Sequence, residues 1–212
     1  MAVHLGAWLP LLWLIGDAAA GRLSVNPIQD LTLRTGKTAL ALLTLSLAAT
    51  PANALFRFRP AIKARRALGL YAFGYALLHL GIFVGLDYGF DLRLIGLELV
   101  EKRFVLAGFA AFLILLPLAI TSTRGWQRRL GRRWKRLHRW VYIAAILAAA
   151  HYIWLDKDHA GEPLLWAAAI ALLLLIRLRK RFLMINDFST GHFHEGLARE
   201  VNRSEQAKSS RP

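Results

Sequence analysis

Three histidines lie in or beside apolar stretches of this chain, and their side chains offer the most evident chemistry. His79 and His151 lie inside long hydrophobic runs, and His138 begins the segment HRWVYIAAILAAAHYIW. An ionisable group inside a membrane is energetically costly, so residues of this kind mark candidate functional sites. Imidazole is a common axial ligand of haem iron, and two rings can bind one iron from opposite faces of the porphyrin.

The cysteine and methionine contents narrow the choice of cofactor chemistry. The sequence has no cysteine, and its two methionines are Met1 and Met184. Disulfides, thiolate-ligated iron–sulfur clusters and covalent haem attachment at C-x-x-C-H are therefore excluded. Any haem must be held noncovalently, with histidine as the expected axial ligand.

The composition is that of an integral membrane protein. Hydrophobic residues make up 56% of the 212 positions, and the mean hydropathy is +0.40, which is too apolar for an ordinary soluble domain. A net charge of +15 is also found in nucleic-acid-binding proteins, but here the basic residues lie between and after the apolar runs. The pattern predicts a protein of the lipid bilayer with no nucleic-acid partner.

The apolar runs predict an all-α integral membrane protein, a six-transmembrane-helix bundle. The predicted spans are residues 5–20, 38–56, 67–88, 104–121, 138–154 and 164–176. Residues 5–20 end in small residues as a signal peptide does, but no Lys or Arg precedes them, so a span is predicted. The segments GRLSVNPIQDLTLRTG, DYGFDLRLIGLELVEKR and TRGWQRRLGRRWKRLHR are predicted loops, and Asn26-Pro27 in the first is read as a turn.

Lysine and arginine are distributed unevenly over these loops. The loops after the second and fourth spans and the segment from Arg177 onward hold 21 of the 28. Because basic residues favour the cytoplasmic side, both termini are predicted to be cytoplasmic. Two domains are expected: a six-helix membrane domain at residues 1–181, and a polar, disordered cytoplasmic tail at residues 182–212.

The predicted topology gives His79 and His151 nearly the same depth. Both spans run outward from the cytoplasm, and His79 lies 13 residues after Arg66. In the same way His151 lies 12 residues after Arg139. We therefore predict that His79 and His151 are the two axial ligands of a haem on the outer side of the membrane. The alternative is that they are two unrelated structural histidines.

His138 lies at the cytoplasmic edge, and the residues leave its role open. The position of equal depth on the third span is Arg65 or Arg66, where there is no histidine. His138 is either a ligand of a second, inner haem with an unusual partner, part of a flavin or propionate site, or an interfacial histidine. The candidate cofactor-binding residues are therefore His79, His151, His138, Arg65 and Arg66, with the three histidines as candidate ligands of haem iron.

Three segments carry a resemblance to a known family. They are TSTRGWQRRLGRRWKRLHRWVYIAAILAAAHYIW, RRALGLYAFGYALLHL around His79, and NPIQDLTLRTGKTAL before the second span. Together they resemble the MsrQ family, formerly YedZ, the haem-binding membrane subunits of bacterial methionine sulfoxide reductase systems. That family lies within the ferric reductase-like transmembrane group, and the likeness extends to about Arg181.

The resemblance implies a multi-pass protein of the bacterial inner membrane that binds FMN and haem b, either one haem or two. It implies electron transfer from the quinone pool or a cytosolic flavin reductase to a periplasmic molybdopterin-containing methionine sulfoxide reductase subunit, with which it forms a heterodimer. Sulfoxide reduction, which repairs oxidised periplasmic proteins, is expected on that partner. His79, His138 and His151 match the family's histidine positions, but the single histidine on the third span leaves the number of haems open.

Two other functions remain open from the residues. One is a free-standing transmembrane reductase of ferric iron or another acceptor that uses the same haem. The other is a proton-coupled transporter with His79 and His151 as a relay, although the spans lack mid-span acids and any internal repeat of the kind many transporters carry. No glycine-rich dinucleotide fingerprint follows a strand-like run, so electrons are expected to enter from another molecule.

Overall fold

The computed structural model of the chain describes residues 2–156, 161–177 and 179. One compact unit comprises the residues up to Leu173, and a second begins at Leu174. In the second unit, the described residues 174–177 and 179 are helical.

The described residues are helical with short connections and contain no strand, which confirms the all-α prediction. The helices of the first unit are α1 (Ala2–Ala19), α2 (Pro27–Phe56), α3 (Arg59–Ile82), α4 (Leu92–Glu101), α5 (Arg103–Ile120), α6 (Arg124–Leu130), α7 (Arg132–Leu137), α8 (Val141–Leu155) and α9 (161–173). A π-helical turn, Phe83–Asp87, follows α3, and a 3₁₀ turn, His138–Trp140, joins α7 to α8.

Two helix pairs form the centre of the first unit. Helix α2 packs against α3, and α5 packs against α8. The pairs also meet each other, because α3 contacts α5 and α8 contacts α2. Small side chains lie at the centre of the pairs: Ala72, Ala144 and Ala145 are at most 1% exposed. Small residues let helices approach closely, which favours packing inside a membrane.

The segment predicted as the first loop begins α2 instead. The Asn26 side chain accepts a hydrogen bond from the Gln29 backbone N–H at 3.2 Å, and Pro27 occupies the first helical position. A side-chain acceptor at the N-cap and proline at the first position are typical of a helix start. The Asn26-Pro27 turn prediction was therefore wrong, because this dipeptide begins the helix that carries the predicted second span.

Helices also form within the other two predicted loops. Helix α4 begins after Asp91, whose Oδ1 accepts hydrogen bonds from the Arg93 and Leu94 backbone N–H groups. Helices α6 and α7 form in the basic segment, and Thr123 caps α6. Helix α8 is shorter than the predicted span because His138–Trp140 is a 3₁₀ turn.

Helix α1 is fixed to its neighbours by polar contacts. Asp17 is 7% exposed, and its carboxylate accepts hydrogen bonds from Arg34 at 2.7 Å and Arg22 at 3.1 Å. The Tyr75 hydroxyl of α3 donates to the Ala7 carbonyl at 2.7 Å.

The helix lengths and surface chemistry identify a membrane protein. In the described part of the chain, three helical segments are long and apolar enough to cross a bilayer: Pro27–Phe56, Arg59–Asp87 and Arg103–Ile120. They correspond to the second, third and fourth predicted spans. Large apolar side chains such as Leu106 and Ile146 are more than half exposed, as lipid-facing residues are. The count of six spans and the cytoplasmic position of the termini stay predictions.

Candidate functional site

His79 lies in the last turn of α3 and is held by α2. Its Nδ1 lies 2.8 Å from the carbonyl oxygen of Thr32. A carbonyl oxygen can only accept, so Nδ1 carries the proton and Nε2 keeps its lone pair. One turn further along α2, a Cβ at Gly36 would lie 3.0 Å from both Cε1 and Nδ1 of this ring. Glycine at this position therefore gives the imidazole the space it occupies.

His151 is held in the same way by α5. Its Nδ1 lies 2.7 Å from the carbonyl oxygen of Phe104, so Nε2 is again the nitrogen with the free lone pair. A Cβ at Gly108 would lie 2.7 Å from the Nδ1 of His151 and 2.9 Å from its Cε1. The hydrogen bond to a backbone carbonyl fixes the orientation and tautomer of each ring, as in many metal-ligating histidines.

The two imidazoles face one cavity. Their ring centroids are 6.0 Å apart with an interplanar angle of 87°, and both rings line a cavity of about 250 Å³. A metal–imidazole bond is about 2.0 Å, so two rings on opposite sides of one metal have their centroids roughly 6 Å apart. The spacing of the two imidazoles therefore fits that of two axial ligands on one metal ion held in a planar macrocycle.

The cavity wall consists of two similar halves, related by a shift of 72 positions. The shift takes His79 to His151 and Gly36 to Gly108, and in each half the histidine lies 47 positions after the residue whose carbonyl it contacts. Eleven such pairs line the cavity. Besides the histidines and glycines they are Thr32/Phe104, Leu33/Val105, Lys37/Phe109, Ala39/Ala111, Leu40/Phe112, Leu43/Leu115, Ala76/Ala148, Leu80/Tyr152 and Phe83/Leu155.

The correspondence of the two halves at a shift of 72 positions, here called the helix-pair repeat, was not predicted from the sequence. Apart from the histidines and glycines, only three of the lining pairs keep the same residue, at Ala39, Leu43 and Ala76. At most paired positions the repeat keeps the place in the fold and the approximate size of the side chain but not the residue type, so it is hard to recognise from the sequence alone. The shared spacing of Gly36–His79 and Gly108–His151 was the available signal.

His138 lies outside the cavity wall. Its Nδ1 lies 3.2 Å from the Trp134 carbonyl, and its ring stacks on Trp134 with centroids 3.9 Å apart. The Trp134 indole donates in turn to the Thr121 carbonyl at 2.9 Å. The Nε2 of His138 is buried and has no hydrogen-bond partner among the residues that the structure describes.

The two candidate arginines also lie away from the cavity. Arg65 donates to the Thr50 hydroxyl at 3.3 Å. Neither Arg65 nor Arg66 lines the cavity wall. Of the five candidate residues, the structure thus brings His79 and His151 together and leaves His138, Arg65 and Arg66 apart from them.

A polar corner, formed by Lys37, Tyr152 and Glu162, lies at one edge of the cavity. Lys37 and Tyr152 both line the wall, and the Lys37 ammonium lies 5.8 Å from the Tyr152 ring centroid. Lys37 also forms an ion pair with Glu162 at 2.7 Å. The hydrogen bond from Lys37 lowers the pKa of the Glu162 carboxyl below its usual range. None of these three residues is among the candidates predicted from the sequence.

Comparison with known proteins agrees with a helical membrane fold. Residues 35–149 match the family described as ferric reductase like transmembrane component. Two relatives are named protein-methionine-sulfoxide reductase heme-binding subunit MsrQ. The one from Rhodospirillum rubrum is 44% identical over 84% of this chain and 86% of its own length. The one from Deinococcus radiodurans is 49% identical over 84% of this chain and 88% of its own length.

No solved structure matches the chain. A third relative with the same name, from Cronobacter sakazakii, is 42% identical over 85% of this chain and 90% of its own length. The fold and the matches define a membrane protein of the ferric reductase-like transmembrane class. Within that class, the chain belongs to the MsrQ family.

Proposed function

We propose that this chain is a haem b-binding electron-transfer subunit, with His79 and His151 as the axial ligands of one haem. The observation that carries the proposal is the 6.0 Å separation of the two ring centroids across a shared cavity. The relatives, which are named heme-binding subunits, support the same cofactor. When bound, haem supplies a one-electron redox centre.

The residues around the cavity suit this role. The carbonyls of Thr32 and Phe104 orient the rings and make their Nε2 atoms better ligands, because each carbonyl accepts a hydrogen bond from the Nδ1–H group. The wall is otherwise largely apolar, with Leu40, Leu43 and Phe112 among its residues. An apolar wall limits the access of water and thereby tunes the redox potential of a bound metal centre.

The electron acceptor we propose is a periplasmic methionine sulfoxide reductase subunit that contains molybdopterin and forms a heterodimer with this chain. The relatives' names, which join heme binding to protein-methionine-sulfoxide reductase, support this partner. We propose the quinone pool or a cytosolic flavin reductase as the electron donor, FMN as a second cofactor, and the bacterial inner membrane as the location.

The ligand assignment is tested by purifying the full chain with single substitutions. His79→Gly and His151→Gly are each expected to lose most of the bound haem, and His4→Gly is the control. His4 pairs with the Tyr71 hydroxyl at 2.9 Å, outside the cavity wall. Haem content and the dithionite-reduced visible spectrum are the measurements.

Added imidazole separates ligation from folding in these variants. A glycine in place of the histidine leaves a space that free imidazole can fill, so we expect imidazole to restore the six-coordinate spectrum in both variants. Full haem content with an unchanged spectrum in both His79→Gly and His151→Gly would overturn the assignment.

A further inference from the structure

The polar corner of the cavity has no counterpart in the other half of the repeat. At a shift of 72 positions, Lys37 corresponds to Phe109, and Tyr152 corresponds to Leu80. Apart from the histidines, Lys37 is the one ionisable basic side chain among the described residues of the cavity wall. A charge at the wall of a largely apolar cavity is costly unless it has a partner.

Two hydrogen-bond donors of this corner are available to a ligand. The Tyr152 residue is 6% exposed, and its buried hydroxyl makes no hydrogen bond within 3.5 Å among the described residues, although it interacts at longer range with Lys37 and Glu162. Lys37 donates one hydrogen bond to Glu162 at 2.7 Å, and an ammonium group has three donors. The Thr32 hydroxyl, by contrast, already donates to the Ile28 carbonyl at 2.8 Å.

We propose that Lys37 and Tyr152 bind the propionate carboxylates of the haem, and this proposal rests on the proposed function. Haem carries two carboxylates, and a carboxylate that enters a poorly hydrated site needs cations or hydrogen-bond donors. The Lys37 ammonium supplies a cation at this edge, and the ammonium and the Tyr152 hydroxyl both supply hydrogen-bond donors. Hydrogen bonds to a charged group are stronger than those between neutral groups.

Glu162 holds Lys37 at the cavity edge and at the same time opposes the ligand. Its carboxylate competes with a propionate for the ammonium, and like charges repel. Neutralising Glu162 should therefore strengthen the recognition of propionate, whereas neutralising Lys37 should weaken it. The Lys37 and Glu162 side chains are 41% and 48% exposed, so their ion pair adds little to stability and both substitutions should fold.

The test compares iron protoporphyrin IX with its dimethyl ester, which has no carboxylate charge. Full-length apoprotein in detergent is titrated with each compound, and the ratio of the two affinities is measured. The wild type should prefer the free acid by about 10- to 100-fold, the range expected for hydrogen bonds to a charged group. Lys37→Met should lose most of this preference, Tyr152→Phe should lose part of it, and Glu162→Gln should increase it.

Two further variants complete the test. Lys37→Arg keeps the charge and should keep the preference. Lys102→Met removes a lysine that forms a similar ion pair, at 2.6 Å with Glu98, but does not line the cavity, so the preference should not change. An unchanged preference in Lys37→Met, or equal binding of both compounds by the wild type, would overturn the proposal. Failure of the wild type to give a six-coordinate haem spectrum with either compound would instead contradict the proposed function.

Discussion

The imidazole planes of His79 and His151 are nearly perpendicular, with ring centroids 6.0 Å apart, and each ring is fixed by a backbone carbonyl of a different helix. Neither ring is positioned by its own helix alone. The carbonyls of α2 and α5 set the ring orientation, and the glycines one turn further along supply the space. The binding properties of the cavity therefore depend on residues that contribute no side chain to it.

Gly36→Ala and Gly108→Ala should both reduce haem binding, and Gly108→Ala should do so more strongly. The added Cβ would lie 2.7 Å from the His151 ring at Gly108 and 3.0 Å from the His79 ring at Gly36. Either ring would have to move away from the added Cβ, which strains its hydrogen bond to the carbonyl. Haem content per chain is the measurement. Gly74→Ala is the control, since nothing lies within 4 Å of a Cβ there, and equal haem content in all three variants would contradict the expectation.

His138→Ala should leave the cavity haem intact. His138 does not line the cavity, and its ring stacks on the Trp134 ring. We expect the six-coordinate spectrum and redox midpoint that depend on His79 and His151 to remain in this variant. If His138 binds a second haem, total haem falls while that spectrum persists. Disappearance of the spectrum would show instead that His138 ligates the same iron.

The Lys37–Glu162 ion pair should contribute to stability at neutral pH but not in acid. The folded-state pKa of Glu162 is lowered by Lys37, so the contribution is present above the ordinary glutamate pKa of about 4.3 and is lost as the pH falls through the folded-state pKa. For an exposed pair it is at most about 1 kcal/mol. Thermal unfolding of wild type and Glu162→Gln should differ more at pH 7 than at an acidic pH below the folded-state pKa of Glu162. The same difference at both pH values would refute the expectation.

Arg34→Gln should destabilise the contact between α1 and α2. Arg34 donates to Asp17 at 2.7 Å and also pairs with Asp30 at 2.8 Å. Its loss leaves the Asp17 carboxylate with Arg22 alone, so the free energy of unfolding should fall. Chemical unfolding of the detergent-solubilised chain measures the change. Arg93→Gln alters an exposed arginine of α4 and should have little effect.

The histidine pair was within reach of the sequence. Counting residues from the last basic position of each span gave His79 and His151 nearly the same depth, and the structure brings their rings together. The count is informative because helices have a fixed rise per residue, so similar numbers of residues give similar lengths. Hydropathy likewise identified three long apolar helices, at Pro27–Phe56, Arg59–Asp87 and Arg103–Ile120.

The features that were missed involve residues whose role depends on the fold. Gly36 and Gly108 matter because of the rings opposite them, and a glycine carries no pattern that reports a neighbour. Lys37 was counted only as one of the seven basic residues outside the predicted cytoplasmic segments, yet it lines the cavity. Helix α4 was predicted as a loop because its charged residues lower the hydropathy of the segment. The helix nevertheless has an apolar face, which contributes Ile95 and Leu99 to the cavity wall.

The two halves of the cavity wall correspond at a shift of 72 positions. A helical hairpin of about half this length could therefore form a similar cavity by pairing with an identical copy, and each copy would contribute one equivalent histidine. Such a homodimer has an isologous interface, in which every residue must serve both subunits. A single chain is free of that requirement. It can carry Lys37 on one side and Phe109 on the other, and so give a nearly symmetric pair of ligands two different surroundings.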